Sequence, residues 1–367
     1  MDLGLNEQHQ LLKSTAREFL EAECSTSLVR EMEGSDKGYS ESLWTKMAGL
    51  GWLGLALPAE HGGSGGDATD LVVLAEEMGR ALAPGPFFSS SVLCGQVLAR
   101  CASPFQMETL LGGICRGELV AAMVGAFPGH GSVTAVRTGG WSVLDGKVSF
   151  VPYAGVAACF VVVPTSASGG QGTPMFVNAS SPGIVSVPMK SVPAHRQCQV
   201  EFRDVKVPES HRLAGVAGGC GALQEALEWA TVAQCGEMVG RAERVLEMVV
   251  DYSKSRVQFG RPIGSFQAVQ HRCADLTVAV DGARLLTHQA AWRLSKGMPA
   301  GDDVSMAKAY CGSLSRRATE AGHSIFAGIA FAVEHDMHLY TARSKISEAS
   351  LGDTDVHLGR LGQTLAP

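Results

Sequence analysis

The stretch from Tyr252 to Asp275, YSKSRVQFGRPIGSFQAVQHRCAD, gathers the side chains in this sequence best suited to holding an anion. Arg256 carries a planar guanidinium that can grip a phosphate through two parallel hydrogen bonds. Phe259-Gly260-Arg261-Pro262 has turn chemistry, and a helix start bearing Gln267 follows it. The backbone N–H groups that open a helix attract the same anion. Together these features suit the pyrophosphate of a dinucleotide laid against a helical surface. An isolated Arg-x-x-Phe-Gly would read as a surface helix–turn–helix with an exposed cation; the complete run carries the dinucleotide reading.

Other reactive residue types form weaker patterns. His335 and His338 stand three apart in Glu334-His335-Asp336-Met337-His338, a spacing that sets two imidazoles on one helical face. No third ligand set accompanies them, so structural hydrogen bonding is expected there and no metal. The ten cysteines show neither a Cys-x-x-Cys pair nor a nucleophile signature. That usage fits reduced, mostly buried thiols in a cytoplasmic protein.

The elements that must position these residues change character along the chain. From Leu5 to about Leu111 apolar residues recur at helical spacing, broken at Leu57–Gly66 (LPAEHGGSGG) and at Pro84-Gly85-Pro86. The glycine-rich run has no strand before it, so it reads as a connector rather than a phosphate loop. From about Leu119 to Gly215 the period shortens to that of strands: VAAMV, WSVLDGKVSFV, ACFVVVP, PMFVN, IVSVPM and CQVEFRDVKVP. Turn chemistry separates them, Asp145-Gly146 included, and the set suggests a small β-barrel or sandwich. From Leu223 onward long helical patterns return, consistent with a four-helix bundle, with breaks expected near 260–265, 297–301 and 327–328.

A chain of 367 residues has room for two or three domains. Hydrophobic residues make up 46% and charged ones 18%, so part of the apolar surface is expected to be covered by other subunits. The formal net charge of −6 excludes a general nucleic-acid binder, which would need a positive field. The amino-terminal segment reads as an amphipathic helix without a signal layout, and apolar stretches such as Val156–Val163 are too short to span a bilayer.

The run around Arg256 resembles the flavin-binding segment of the acyl-CoA dehydrogenase family, with Arg256, Phe259, Gly260, Pro262, Ile263, Phe266 and Gln267 at the family's spacing. The two loops of the first third and the closing strand VEFRDVKVP resemble the same family. The resemblance implies an α+β fold: a helical domain over residues 1–118, a middle β-barrel or sandwich over 119–215 and a four-helix bundle over 216–367. It also implies FAD seated between subunits. In that arrangement Arg256 meets the pyrophosphate of a neighbour's flavin and Phe259 packs on the dinucleotide, with Gly260 and Gln267 in the same lent segment.

The half that would hold a flavin of its own departs from the family's pattern. Pro128, Gly131 and Ser132 persist in Ala126-Phe127-Pro128-Gly129-His130-Gly131-Ser132, but Ala126 replaces a threonine that would bond the flavin edge. The next strand end, Phe150-Val151-Pro152-Tyr153-Ala154, carries Pro152 where the family has a second threonine. Proline offers neither a side-chain donor nor a backbone N–H. The carboxylate base is absent as well, since its two usual positions align with Leu351 and Ala230. Glu237, Glu348 and Asp353 are the remaining candidates; Glu237 lies about 10 Å along the helix from Ala230. For Glu237 and Glu348 the preferred reading is an ordinary helix-surface or salt-bridged glutamate rather than a base.

The resemblance leads to one main expectation and two alternatives. The main one is a subunit of a heteromeric acyl-CoA dehydrogenase, paired with a homologous catalytic subunit that bears base and flavin. Its substrate would be an acyl-CoA, a bulky steroid-derived one being the family-level analogy, and an electron-transfer acceptor would reoxidise the flavin. The alternatives are a self-sufficient flavoenzyme with a relocated base and a non-catalytic scaffold.

Overall fold

The computed structural model describes residues 3–127, 129–166, 170–190, 196–213 and 220–365. Six helices open the chain: α1 (Glu7–Glu23), α2 (Thr26–Gly34), α3 (Glu41–Gly49), α4 (Ala68–Arg80), α5 (Gly95–Cys101) and α6 (Pro104–Cys115). Their starts follow capping chemistry. Asn6 accepts the N–H of His9 at 2.8 Å before α1, and Ser103 with Gln106 forms a capping box before α6, which has Pro104 in its first turn. The glycine-rich connector folds into tight turns before α4; a Cβ on Gly63 would lie 2.1 Å from the Leu57 carbonyl oxygen.

Seven strands follow: β1 (Ala121–Val124), β2 (Gly131–Thr138), β3 (Trp141–Pro152), β4 (Cys159–Val162), β5 (Met175–Asn178), β6 (Ile184–Pro188) and β7 (Gln197–Pro208). They form two sheets, ordered β1-β4-β5 and β2-β3-β7-β6, and among the described strands only β1 and β4 pair in parallel. Among the described residues neither sheet closes, so these strands form no barrel. Residues of both sheets enclose one core, in which Phe160 and Phe202 meet edge to face at 6.3 Å.

Two strand expectations need correction. Asp145-Gly146 is not a turn: it sits inside β3 at a bulge, where the register with β7 shifts between Leu144 and Gly146. Gly146 has φ +142°, and a Cβ there would lie 2.2 Å from the Ser132 carbonyl oxygen. The hairpin turn falls at Gly139-Gly140 instead, and it closes β2, a strand whose polar, solvent-facing residues hide the alternation.

The last section holds α7 (Cys220–Ser255), a short hairpin of β8 (Val257–Gln258) and β9 (Arg261–Pro262), then α8 (Gln267–Ser295), α9 (Gly301–Phe326), α10 (Met337–Ala349) and α11 (Thr354–Leu365). The three expected breaks appear, the last through Ala327 at φ +57°. Among the described residues no helix is long and apolar enough to cross a membrane.

The chain divides into two compact units: residues 1–29, 68–83 and 231–367, and residues 30–67 and 84–230. In the first, α1 and α4 join the late helices. Backbones of α4 and α7 touch there: a Cβ on Gly240 would lie 1.8 Å from the Glu76 carbonyl oxygen, and one on Gly79 would lie 2.1 Å from that of Glu237. Glu76 is buried in this packing, 2.8 Å from His288, 3.3 Å from Lys13 and 3.5 Å from Arg284. Burial opposes its charge, but the His288 hydrogen bond and the two cations outweigh it and hold its pKa down to about 2.

Candidate functional site

Arg256 follows the last turn of α7, with its N–H still donating to Tyr252 O at 2.8 Å. Its own carbonyl accepts Ile263 N at 2.8 Å, which closes the hairpin base. Val257 pairs Pro262 and Gln258 pairs Arg261, so Phe259 and Gly260 form the two-residue turn. Both have positive φ, +52° and +77°, the geometry that a tight right-twisted hairpin demands. Phe259 is thereby held out at 92% exposure, while Arg261 lies 4.1 Å over the Phe266 ring.

This arrangement leaves its charge unspent. Arg256 is exposed, and among the described residues no acceptor engages its guanidinium. At the start of α8, Val269 and Gln270 donate back to Phe266 O, and no side chain caps the helix, leaving the Gln267 and Ala268 N–H groups open. The Gln267 side chain is exposed too. An exposed guanidinium and an uncapped helix start fit a pyrophosphate, and the protruding Phe259 gives an aromatic surface for its dinucleotide.

The strand ends in the other unit are differently furnished. Ala126 is buried, and its carbonyl accepts Gln171 Nε2 at 2.9 Å. Phe150, at φ +61°, packs edge-on against His130 at 5.5 Å. Pro152 ends β3 without a donor, and the buried Tyr153 hydroxyl accepts Gly85 N at 3.1 Å. Ser132 is exposed on β2, opposite Lys147. Pro128 lies outside the described residues. Where polar contacts to a flavin ring would be wanted, Ala126 and Pro152 supply no side-chain hydrogen bond.

The positions where a base would stand are apolar and firmly built. Ala230 is buried. Leu351 is buried at φ +60°, in a loop held from several sides. Lys308 of α9 donates from Nζ to the carbonyls of Ser347, Glu348 and Gly352 at 3.0, 3.0 and 2.9 Å. His357 of α11 meets Leu351 O through Nε2 at 3.1 Å and Ser305 Oγ through Nδ1 at 3.2 Å. Gln234, its amide oriented to donate, reaches Ser347 O and Ser350 O, each at 3.2 Å.

The three acidic candidates are engaged elsewhere. Burial raises the Glu237 carboxyl above its ordinary range, against Arg241 3.5 Å away. Glu348 is shared between Arg316 at 3.4 Å and Lys345 at 3.2 Å. Asp353 accepts Val356 N at 2.9 Å and so caps α11. His335 and His338 serve the start of α10: His335 Nδ1 accepts Met337 N at 3.1 Å, and His338 Nδ1 pairs with His335 O at 2.7 Å.

Lys308 and His357 are the residues that sequence reasoning missed. A signal existed for the lysine, since Val304, Lys308, Cys311 and Ser315 share one helical stripe and all four are buried. Burial pushes the His357 pKa down to about 4. The folded state therefore favours neutral imidazole, and the unfolded chain binds the extra proton between about pH 6.5 and 4. Stability is expected to hold above that window and to fall as pH drops through it. Urea midpoints measured across the window should show less of this decline in His357→Gln, and an identical decline would refute the assignment. Glu76 acts at lower pH: its contribution, present above about pH 4.5, is lost on the way down to about 2.

Comparison with known proteins supplies the context for this geometry. Residues 6–118 match the profile described as "Acyl-CoA dehydrogenase, N-terminal domain", and residues 217–366 that of "Acyl-CoA dehydrogenase, C-terminal domain". The chain is 30% identical to acyl-CoA dehydrogenase FadE27 of Mycobacterium tuberculosis, over 100% of this chain and 99% of that protein. Among solved structures it is similar to the ChsE4–ChsE5 complex from M. tuberculosis, with 29% identity, TM-score 0.92 and full coverage of both chains. It is also similar to a single-substitution variant of the Tcur3481–Tcur3483 steroid ACAD, with 28% identity, TM-score 0.88 and coverage of 99% and 98%.

Proposed function

We propose, on the premise that this chain belongs to the acyl-CoA dehydrogenase family, that it is the flavin-poor subunit of a hetero-oligomer and lends its Arg256 hairpin to a flavin seated in a homologous partner. The family's members are oxidoreductases that act on a CH–CH bond of an acyl-CoA. FAD, when bound, accepts the hydride that leaves the β-carbon in this chemistry. The observation that carries the reading is the asymmetry of charge and donors: Arg256 is exposed and unengaged among the described residues, whereas the positions that the resemblance assigns to flavin contacts hold Ala126 and Pro152 and those it assigns to a base hold Ala230 and Leu351.

In this reading each retained element has a task that needs no chemistry of its own. The hairpin joins Arg256 to the uncapped start of α8 within a few residues, so in this reading guanidinium and helix start would share one pyrophosphate. Phe259 offers its ring to the dinucleotide and keeps water from that edge. The exposed Val257, Val278 and Leu285 beside and along α8 are apolar surface that a partner subunit would cover. Likeness to structures described as complexes of two different chains supports such a partner. Likeness to a steroid ACAD supports a bulky, steroid-derived acyl group as the substrate.

Co-expression with a homologous neighbour tests the assignment. The expected product is a mixed complex carrying less than one flavin per chain, with little flavin on this chain purified alone. Homogeneous self-assembly with a full flavin complement and turnover of acyl-CoA would end the proposal.

A further inference from the structure

The corner between α5 and the first turns of α7 holds polar side chains that the flavin site does not use. The guanidinium carbon of Arg100 lies 4.5 Å from the centre of the Trp229 ring. Arg100 Nε donates to Glu225 Oε1 at 2.9 Å, and Nη1 donates to Gln96 Oε1. Gln96 is itself buried and fixed, donating from Nε2 to Ala56 O at 2.9 Å.

Two donors of this corner stay open. Among the described residues no acceptor meets Arg100 Nη2, and the buried Trp229 Nε1 has no hydrogen-bond partner. A buried indole N–H ordinarily finds an acceptor, so an open one beside a half-compensated cation marks a place built for oxygen. Compensation is partial because the Glu225 side chain is 57% exposed, whereas Arg100 is largely buried, which lowers its pKa. Trp229 also directly precedes Ala230, one of the two positions that the family resemblance associates with the base.

We propose that Arg100 and Trp229 recognise an electronegative oxygen, a carbonyl or a carboxylate, carried on the acyl group away from the thioester. The pair makes this chain select oxygen-bearing acyl-CoA thioesters over plain alkyl ones. A site built to bond an oxygen discriminates strongly against an analogue that lacks it, because its donors are then buried unpaired. This selection rests on membership of the family and not on the hetero-oligomer reading.

Calorimetric titration of the full-length chain, in the assembly in which it purifies, tests it with octanoyl-CoA, 7-oxooctanoyl-CoA and the ω-carboxylate suberoyl-CoA. One of the oxygenated thioesters should bind at least about tenfold more tightly than octanoyl-CoA. Preference for the ketone identifies a carbonyl as the recognised group, and preference for suberoyl-CoA identifies a carboxylate. Trp229→Phe keeps a ring beneath the guanidinium and removes only the donor. It should erase most of the margin while leaving octanoyl-CoA affinity within about twofold. Arg100→Met should do the same, and if that variant misfolds the decision stays with Trp229→Phe. Equal binding of all three thioesters, a preference that survives Trp229→Phe, or no thioester binding at all overturns the proposal. Any of these results can coexist with flavin loss on Arg256 replacement, so the two ideas fail separately.

Discussion

Arg256→Ala is expected to strip flavin from the assembled complex while leaving the chain folded. The guanidinium is exposed and makes no hydrogen bond or ion pair among the described residues, so its removal is expected to disturb neither the hairpin nor α7. Its value is expected to arise entirely on binding. A charge-assisted hydrogen bond is worth about 1.5–3 kcal/mol, and a bidentate grip on a phosphate about 2–4 kcal/mol once partial solvation is allowed for. Flavin affinity should therefore fall by roughly two orders of magnitude. Arg256→Lys should fall between the two, because an ammonium supplies charge without the planar fork. Visible flavin absorbance per complex measures the effect, and a melting curve of the chain checks that folding is intact. Full flavin content in the Arg256→Ala complex would remove the lending role and favour a scaffold.

What the sequence makes legible divides along the range of the interactions involved. Local rules set the Phe259-Gly260 turn and the start of α8, and the breaks before α9 and after Phe326 follow from the same chemistry. Strand β2 escapes because Thr134, Val136 and Thr138 all face solvent, leaving only Val133 and the half-buried Ala135 to mark an inner face. Asp145-Gly146 misleads because its dipeptide has the chemistry of a hairpin turn, while Gly146 is needed for close approach to Ser132. The grouping of α1 and α4 with the late helices depends on contacts between residues far apart in sequence. Gly79 and Gly240 let backbones touch, and Glu76 gathers cations from α1 and α8.

The candidate site shows the same division. Spacing alone picks out the Arg256 run, because hairpin and helix start are local. The loop around Leu351 is different, since its anchors come from α7, α9 and α11. That it holds a leucine where the resemblance implies a carboxylate is legible in the sequence, but its rigidity is not. Three separate elements fix a backbone whose side chain can accept no proton. That combination is what a subunit relieved of chemistry, yet still required to keep its shape beside a working partner, would retain.

Lys308→Met is expected to give the largest loss of stability among the residues of that loop's support. The ammonium is fully buried, and its three donors are spent on three carbonyls, those of Ser347, Glu348 and Gly352. Two of these carbonyls end α10, where the helix dipole is negative, so the cation stabilises the terminus electrostatically as well. Methionine matches the length of the stem and avoids a cavity, but it takes their donor from the Glu348 and Gly352 carbonyls, while Ser347 O keeps only Gln234. Relief from burying a charge offsets part of this, which places the net cost at about 2–4 kcal/mol rather than at the sum of three bonds. The backbone should loosen first at residues 347–353, where Leu351 at φ +60° and Gly352 at φ +92° hold a conformation that ordinary side chains resist. Leu351 would keep its bond to His357, and Ser347 and Ser350 theirs to Gln234, so the loop would open first at Gly352. Urea unfolding gives the stability change and amide hydrogen exchange gives the order of opening. A change below about 0.5 kcal/mol, within the range of ordinary surface substitutions, would show that the three carbonyls find other partners and that the loop does not depend on this lysine.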